Sequence, residues 1–324
     1  MSALRSEVWF PNSRLNYPKK MVHTKKELIN GETSLIGVLG CPIKHSLSPI
    51  IHNAALTALN LNWCYLAIPC ETENLALVLE SLRKINCKGL NITIPHKQEV
   101  INYCKAVEPI AKNIGAVNTL IPAKDNYWNG TNTDIQGFLA PLKKCESLAG
   151  KNGVVLGSGG SARAVVHGLN SLNLSHITII SRNKNSLKKI LNLIEKTKSN
   201  STTYLGLIEG DSSIKEYIRA SSLIVNTTPV GMLNKSEKKE SKTIPLGKEY
   251  WEDLSPDKIL YDLIYIPKPT EWLKLGLKYD CHQINGLDML IEQGAASLRL
   301  WSNIEEIPID IMKEAAEKAL RESS

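Results

Sequence analysis

The sequence lacks several features that would each place it in a particular class of protein. No run approaches the ~18 apolar residues that a membrane-spanning helix requires. The seven cysteines form no C-x-x-C pair and the seven histidines are scattered, so no metal-ligand cluster is recognisable. The net charge of +7 is modest, and neither a helix-turn-helix nor a zinc-finger pattern accompanies it. These absences argue against a membrane protein, a metalloprotein and a nucleic-acid-binding protein.

The remaining bulk properties indicate a soluble enzyme-sized protein. A chain of 324 residues with 43% hydrophobic content is long enough for two domains with a sizeable core. An odd number of unpaired cysteines is typical of reduced thiols, which predicts a cytoplasmic location. A small positive excess suits an anionic small-molecule substrate and a phosphate-rich cofactor.

The first 34 residues differ from the rest of the chain. They carry scattered lysines and arginines, show little apolar periodicity and contain no apolar core of a secretory signal. We expect residues 1–34 to be a loosely ordered extension outside the fold. A start at Met21 and a short transit peptide are the alternatives that the sequence leaves open.

The most informative stretch is VVLGSGGSAR, Val154–Arg163. A short apolar strand, Lys151–Leu156, runs into a glycine-dense turn and then into a helix-forming run, Ala162–Leu169. Its glycines permit a tight turn and a close backbone approach to a pyrophosphate, and the helix N-terminus supplies N–H donors. The next predicted strand, His176–Ile180, completes a βαβ unit of about 30 residues. The sequence therefore predicts a Rossmann-type dinucleotide-binding domain.

The loop after the second strand of this unit indicates which cofactor binds. NAD sites usually carry an acidic residue there, which bonds the ribose 2′-hydroxyl. This chain has Ser181-Arg182-Asn183-Lys184 and no acid. Arg182 can pair with a 2′-phosphate and Lys184 adds charge, so NADP is favoured over NAD. The alternative is that Arg182 is a solvated loop cation.

Apolar periodicity predicts an α/β unit before the glycine turn and further elements after it. The predicted strands before the turn are Leu35–Leu39, Trp63–Ile68, Gly89–Ile94 and Val117–Pro122. The predicted helices are Pro49–Leu59, Thr72–Ile85, Lys97–Cys104 and a connecting helix, Gln136–Leu148. After the turn we predict strands at Leu223–Asn226 and Ile259–Leu263, a mobile polar loop at Asn234–Lys242, and helices at Met289–Trp301 and Ile309–Leu320.

The predicted fold class is α/β with two domains. An N-terminal α/β substrate domain spans 35–134, and a doubly wound, Rossmann-type NADP domain spans 135–285. Residues 286–324 form C-terminal helices that return to pack on the substrate domain. Because open α/β sheets bind ligands at the carboxyl ends of their strands, the site is expected where strand ends of the two domains meet.

Several polar clusters lie at predicted strand ends in the first domain. Ser46 and Ser48 precede a helix start at Pro49, where both hydroxyls can face one carboxylate. An N-cap serine followed by proline explains this cluster without any function. The two serines therefore indicate a substrate site only in combination with the neighbouring polar clusters.

The other clusters are Asn91–Lys97, Gly115–Thr119 and Gly130–Asp134. In the first, Asn91 and Thr93 alternate on one strand face, and Lys97 is delivered near a helix start. A lysine gains nothing from the macrodipole there, which hints at function. Asn, Asp and Gly fill ordinary turns as well, so no single cluster is decisive. Together, beside a nucleotide fold, they indicate a substrate site.

On these residues the chain resembles the shikimate dehydrogenase family from about Leu35 to Leu320. The motifs that carry the resemblance are HSLSP (45–49), NITIPHK (91–97), GAVNTL (115–120), GTNTD (130–134), GSGGSAR (157–163), SRN (181–183), NTTPVGM (226–232), YDLIY (261–265) and NGLDMLIEQGA (285–295). The resemblance implies NADP-dependent, reversible reduction of 3-dehydroshikimate to shikimate. That step belongs to the pathway to chorismate and the aromatic amino acids.

The resemblance also implies roles for individual residues. Lys97 would be the general acid–base residue, with Asp134 as its partner. Substrate would be bound by Ser46, Ser48, Asn91, Thr93, Asn118, Asp134, Tyr265 and Gln293. NADP would be lined by Gly157, Ser158, Gly159, Gly160, Ser161, Ser181, Arg182, Asn183, Ser186, Thr227, Leu263 and Gly286. No metal is implied, the partner is a small-molecule substrate, and a homodimer is an option.

Two departures and two alternatives qualify this resemblance. The family often has Asn-Arg-Thr where this chain has Ser181-Arg182-Asn183, and an arginine is frequent at the position of Ser186. The predicted NADP preference therefore depends mainly on Arg182. The alternatives are a dual-specificity quinate/shikimate dehydrogenase and a non-catalytic sensor of shikimate or NADP.

Overall fold

Two six-stranded sheets organise the molecule. The computed structural model describes residues 29–197, 202–232 and 243–322. Residues 1–28 of the predicted extension and the predicted loop Asn234–Lys242 lie outside the described residues. Among the described residues, none of the helices is both long enough and apolar enough to cross a membrane.

The first sheet is mixed and contains strands from the first 131 residues. Its strands are β1 (Ser34–Gly40), β2 (Trp63–Pro69), β3 (Gly89–Ile92), β4 (Cys104–Val107), β5 (Thr119–Pro122) and β6 (Trp128–Thr131), in the order β2-β1-β3-β5-β6-β4. Strand β1 pairs in parallel with β2 and β3, whereas β5 runs antiparallel to β3 and β6. The helices of this part are α1 (Ser48–Ala58), α2 (Leu75–Lys84), α3 (Pro109–Ile114) and α4 (Asp134–Leu142).

Two helices predicted for this part are wrong in type or length. The segment predicted as a helix over Lys97–Cys104 is a short 3₁₀ turn, Glu99–Tyr103, followed by β4. Only Val100 of that turn is buried, so no apolar stripe supports a longer helix. The connecting helix ends at Leu142 rather than Leu148, one residue after Pro141. Strands β4 and β6 and helix α3 were not predicted.

The second sheet is fully parallel and has the Rossmann strand order. Its strands are β7 (Asn152–Leu156), β8 (His176–Ser181), β9 (Thr203–Ile208), β10 (Leu223–Asn226), β11 (Ile259–Asp262) and β12 (His282–Asn285), in the order β9-β8-β7-β10-β11-β12. The helices of this part are α5 (Gly160–Asn170), α6 (Lys184–Thr197), α7 (Ile214–Ala220) and α8 (Glu271–Leu277). Relative to β7 this order is 3-2-1-4-5-6, which confirms the predicted doubly wound fold.

The last two helices return to the first half of the molecule. They are α9 (Gly286–Ser302) and α10 (Ile309–Glu322). Leu287, Ile291 and Leu298 of α9 share a core with Ile51 and Leu56 of α1. The C-terminal helices thus pack as the sequence predicts, while the residue limits of the domains stay predictions.

Helices α4 and α9 cross in close contact at Gly137. A Cβ atom on Gly137 would lie 2.6 Å from the Met289 carbonyl oxygen and 2.9 Å from Gln293 Cβ. Distances below 3.0 Å to backbone atoms leave no room for a methyl group. The glycine therefore sets how closely α4 and α9 approach.

The variant Gly137→Ala is expected to lower the free energy of unfolding. Alanine normally stabilises a helix relative to glycine by about 1 kcal/mol, but overpacking a tight contact costs about 1–3 kcal/mol. Urea unfolding followed by circular dichroism measures the change. Gly31→Ala, where a Cβ would meet open space, is the control. A Gly137→Ala protein as stable as the wild type would contradict this account of the crossing.

The second sheet also contains a fully buried carboxyl, Asp262, at the end of β11. It accepts hydrogen bonds from Asn226 Nδ2 at 3.0 Å and from Thr270 Oγ1 at 2.7 Å. Burial raises the pKa of Asp262 to about 6, although these hydrogen bonds act in the opposite direction.

This buried carboxyl predicts a pH dependence of stability. An unfolded aspartate has a pKa of about 3.9, so the folded protein holds this proton more tightly. The stabilising effect of the protonated group is complete below pH ~4 and is lost as the pH rises through ~6. Between those pH values the wild type should lose about 3 kcal/mol of unfolding free energy relative to Asp262→Asn. Urea unfolding of both proteins from pH 4 to 7 measures this difference, and a constant difference would refute it.

Candidate functional site

The site lies where the carboxyl ends of strands from the two sheets meet. A Cβ atom on Gly160, at the start of α5, would lie 3.5 Å from Cβ and Cδ of Lys97. The lysine of the first half therefore lies directly against the glycine-rich turn of the second half. The structure brings together the two motifs that the sequence separates by about sixty residues.

Lys97 and Asp134 form a largely buried ion pair. Lys97 Nζ is 2.5 Å from Asp134 Oδ2, and the two side chains are 13% and 6% exposed. Asp134 is the first residue of α4, where the helix dipole favours a negative charge. Its backbone N–H donates to Asn132 Oδ1 at 3.0 Å, and the Lys97 carbonyl accepts from Val117 N at 2.7 Å. Both partners are thus fixed by their own backbone.

Asn118 connects this ion pair to the C-terminal helix. Its Nδ2 donates to Asp134 Oδ1 at 2.8 Å and lies 3.3 Å from Gln293 Oε1 on α9. Its Oδ1 accepts from Thr133 N at 2.8 Å. Asn118, Asp134 and Gln293 therefore form one hydrogen-bonded cluster.

Asn91 is joined to this cluster, since its Nδ2 donates to the Asn118 carbonyl at 3.3 Å. Its Oδ1 accepts from the Tyr65 hydroxyl at 2.8 Å, and its Nδ2 donates to Ser297 Oγ at 2.9 Å and Thr119 Oγ1 at 3.3 Å. Neither Tyr65 nor Ser297 was predicted. Ser297 follows Gln293 by four residues, so helical periodicity could have placed it on the same face of α9. Nothing in the sequence marks Tyr65.

The ring of His52 packs against the ring of Tyr65. The rings of His52 and Tyr65 stack with centroids 4.0 Å apart, and both side chains are fully buried. Burial lowers the pKa of His52 to about 4 and raises that of Tyr65 well above its usual range. Both rings are therefore neutral at physiological pH, and Tyr65 alone of the two hydrogen-bonds to Asn91.

The loop that contains Ser46 and Ser48 lies next to Tyr65, which hydrogen-bonds to Ser48. Ser46 Oγ accepts from Ser48 N at 3.2 Å, and Ser48, the first residue of α1, is buried. Tyr265 approaches the same loop, where a hydrogen bond to the Leu47 backbone partly offsets the burial that raises its pKa. Thr93, half-buried, holds the end of the first sheet by donating its N–H to Leu39 O at 3.0 Å.

The glycine-rich turn has room for a bound group. Gly157 has φ +112°, which a side chain rarely adopts, and a Cβ there would lie 2.5 Å from Thr227 Oγ1. A Cβ on Gly159 would meet nothing within 4 Å, so the space above the turn is open. Ser161 is half-buried in the first turn of α5, and Ser158 Oγ lies 2.7 Å from Ser181 Oγ. This open cradle at a helix N-terminus suits a pyrophosphate.

The loop after β8 presents a cation. Arg182 is exposed, and no carboxylate of the residues described by the structure pairs with it. Asn183 Oδ1 accepts from Ser186 N at 2.9 Å and so caps the start of α6. This geometry leaves the Arg182 guanidinium available to an anionic ligand.

The remaining predicted cofactor residues lie at the ends of β10, β11 and β12. Thr227 Oγ1 donates to Leu156 O at 2.7 Å. Gly286 begins α9, and a Cβ on it would overlap with the backbone of Leu263. These three residues therefore sit on the opposite side of the glycine-rich turn from Arg182. Within the described ranges, no group of three or more His, Cys, Asp or Glu side chains is arranged to hold a metal ion.

Comparisons with known proteins agree with this geometry. The family model "Shikimate dehydrogenase substrate binding domain" matches residues 38–120, and "Shikimate 5'-dehydrogenase C-terminal domain" matches residues 286–317. A protein of Prochlorococcus marinus (strain MIT 9515) named "Shikimate dehydrogenase (NADP(+))" is 47% identical over 90% of this chain and 100% of its own length.

Solved structures give the same result. A shikimate dehydrogenase crystallised with NADP⁺ matches with a TM-score of 0.78 and 34% identity, covering 90% of this chain and 98% of that one. The Thermus thermophilus shikimate 5-dehydrogenase, solved with NADP(H) and shikimate, matches with a TM-score of 0.74 and 31% identity over 89% of this chain and all of that one. The identity and coverage of these relatives establish that the chain belongs to the shikimate dehydrogenase family.

Proposed function

We propose that this protein is an NADP-dependent shikimate dehydrogenase that reversibly reduces 3-dehydroshikimate to shikimate, a step toward chorismate and the aromatic amino acids. The observation that carries the proposal is the buried Lys97–Asp134 ion pair lying against the glycine-rich turn. An acid–base group and a dinucleotide cradle must be adjacent for hydride transfer with proton transfer. The named relatives and the two ligand-bound structures support the same reaction.

The substrate side of the proposal assigns one end of the cleft to the carboxylate and the other to the ring hydroxyls. Ser46 and Ser48 hold the carboxylate, with Tyr265 beside it. The proposed partners of the ring hydroxyls are Asn91, Thr93, Asn118, Asp134 and Gln293. The contacts among Asn118, Asp134 and Gln293 support a shared role at the hydroxyl end.

The cofactor side assigns NADP to the edge formed by β7, β8, β10 and β11. Gly157–Ser161 and the α5 N-terminus hold the pyrophosphate, because backbone N–H groups and the helix dipole favour an anion there. Arg182 pairs with the 2′-phosphate, and Ser181, Asn183 and Ser186 shape that loop. Thr227, Leu263 and Gly286 line the opposite end. When bound, NADPH supplies the hydride for the reduction.

Lys97 completes the reduction with a proton. Its ammonium group donates to the alkoxide that develops at the reacting carbonyl and stabilises its charge before the proton moves. In the reverse direction, the same nitrogen receives the proton from the substrate hydroxyl. Asp134 orients Lys97 through the ion pair and binds a neighbouring substrate hydroxyl. The low exposure of both side chains strengthens these interactions by excluding water.

Further parts of the proposal concern the chain as a whole. Residues 35–134 form the substrate domain, residues 135–285 the NADP domain, and residues 286–324 the helices that complete the former. We place the enzyme in the cytoplasm, which the seven free cysteines support. The absence of nucleic-acid binding and the option of a homodimer stay predictions from the sequence.

Replacing the proposed acid–base residue tests the mechanism. Lys97→Ala should lower kcat about 10²- to 10⁴-fold while KM for shikimate changes little, because proton transfer stabilises the transition state. The assay follows NADPH absorbance with shikimate and NADP⁺. Lys105→Ala, which also removes a lysine paired with an aspartate but at the surface, is the control. A near-wild-type kcat for Lys97→Ala would refute the assignment, and turnover by the unmodified protein excludes the sensor alternative.

Replacing the proposed phosphate ligand tests the cofactor assignment. Arg182→Ala should lower kcat/KM for NADP⁺ about 10- to 100-fold and leave that for NAD⁺ unchanged, since one charge-assisted contact is worth about 1.5–3 kcal/mol. Arg219→Ala, which removes an exposed arginine of α7 that pairs with Asp253 in the same half of the molecule, is the control. Equal use of NAD⁺ and NADP⁺ by the wild type would contradict the assignment. Quinate in place of shikimate tests the dual-specificity alternative.

A further inference from the structure

Two polar side chains are fully buried at the adjacent ends of β10 and β11. Asn226 and Asp262 are register partners in the parallel pair, and neither side chain is exposed. They are joined directly, since Asn226 Nδ2 donates to Asp262 Oδ1 at 3.0 Å. Neither residue belongs to the proposed substrate site or the proposed NADP site.

Burial of the Asp262 carboxyl is unfavourable for the stability of the fold. Its Oδ1 also accepts from Ile264 N at 3.1 Å, and its Oδ2 accepts from Thr270 Oγ1 at 2.7 Å. Within the part of the chain that the structure describes, no cation pairs with it. A buried carboxyl without a counter-charge destabilises the fold, and this is reflected in its pKa of about 6. Stability alone therefore does not explain its presence.

The contacts of this pair fix the two loops that follow β10 and β11. Asn226 Oδ1 accepts from Thr228 N at 3.0 Å and from Thr228 Oγ1 at 2.7 Å, which holds the turn containing Thr227. Asp262 holds Ile264, and Leu263 N donates to Asn226 O at 3.0 Å. Thr227 and Leu263 each lie between two of these anchored positions.

The location of these loops indicates which part of the cofactor they face. Arg182 lies after β8, on one side of β7, and the glycine-rich turn follows β7 itself. An adenosine 2′-phosphate at Arg182 and a pyrophosphate at the turn leave the ends of β10 and β11 for the nicotinamide. The loops fixed by Asn226 and Asp262 therefore border the half of the cofactor that reacts.

We propose that Asn226 and Asp262 act as a coupled pair of positioning residues that fix Thr227 and Leu263 against the nicotinamide, an inference that rests on the proposed NADP-dependent reaction. Neither residue touches the reacting atoms. Their effect is on the alignment of the nicotinamide with Lys97 and the substrate, since a misplacement of about 1 Å costs about 100-fold in rate. Asp262 Oδ1 has this positioning role, because it accepts from Asn226 and Ile264. Asp262 Oδ2 instead accepts from Thr270 at the start of α8.

A double-mutant cycle tests the coupling. Asn226→Ala and Asp262→Ala are each expected to lower kcat about 10- to 100-fold and to weaken NADP⁺ binding about three- to tenfold. The double variant should lie within about twofold of the worse single variant, because both changes break the same link. The dissociation constant for shikimate should change less than about threefold, since all its proposed ligands except Tyr265 lie in the first half of the molecule or on α9.

Two further variants separate positioning from folding. Asp262→Asn keeps an Oδ1 acceptor for Asn226 and Ile264, so it should restore kcat to within about threefold of the wild type. Ser221→Ala removes a buried hydrogen bond at the end of α7, two residues before β10 begins, and should leave the kinetics unchanged. Thermal unfolding of each protein reports its stability independently of its activity.

Several results would overturn the proposal. Additive losses in the cycle would remove the coupling, and Ala variants that melt earlier but keep wild-type kcat would reduce the pair to a structural role. If the Ala variants do not fold, Asn226→Ser takes their place, because it loses only the contacts of the side-chain amide. A kcat equal to that of the wild type for Asn226→Ser would refute the proposal. A wild type that does not oxidise shikimate with NADP⁺ would instead refute the proposed function.

Discussion

The ion pair between Lys97 and Asp134 is the interaction on which the rest of the site depends. Two opposite charges that are largely removed from water attract strongly, but they need fixed geometry to offset the loss of hydration. The fold supplies that geometry from three directions: the end of the first sheet, the start of α4, and the amide of Asn118. On a fourth side, the backbone of Gly160 in the glycine-rich turn lies against the Lys97 side chain.

Behind the ion pair, uncharged polar groups hold the C-terminal helix in place. Ser297 on α9 reaches Asn91 and Thr119 of the first sheet, and Gln293 reaches Asn118. Such buried networks are stable only when their members are satisfied, so they allow one arrangement of the helix against the sheet. The same arrangement places Gln293 beside Asn118, at the proposed substrate end of the cleft.

The glycine-rich turn, the doubly wound fold class and the cluster around Lys97 could be predicted from the sequence, because each depends on local patterns that repeat in α/β proteins. Strands β9 and β12 were not predicted. Strand β6 was not predicted because its Asn129-Gly130 pair is typical of a turn, and the 3₁₀ turn at Glu99–Tyr103 was predicted as an α-helix. Tyr65 was not predicted for another reason. Its importance comes from partners distant in the chain, and no local pattern distinguishes it from an ordinary buried tyrosine.

The return of α9 and α10 to the first half has a consequence for how the protein is made. During synthesis, all six strands of the second sheet are in the chain before the first half receives its last two helices. Gln293 and Ser297 are therefore among the final groups to reach the cleft. By the proposed assignment of Gln293, a nascent chain binds substrate only after α9 and α10 have left the ribosome and docked on α1.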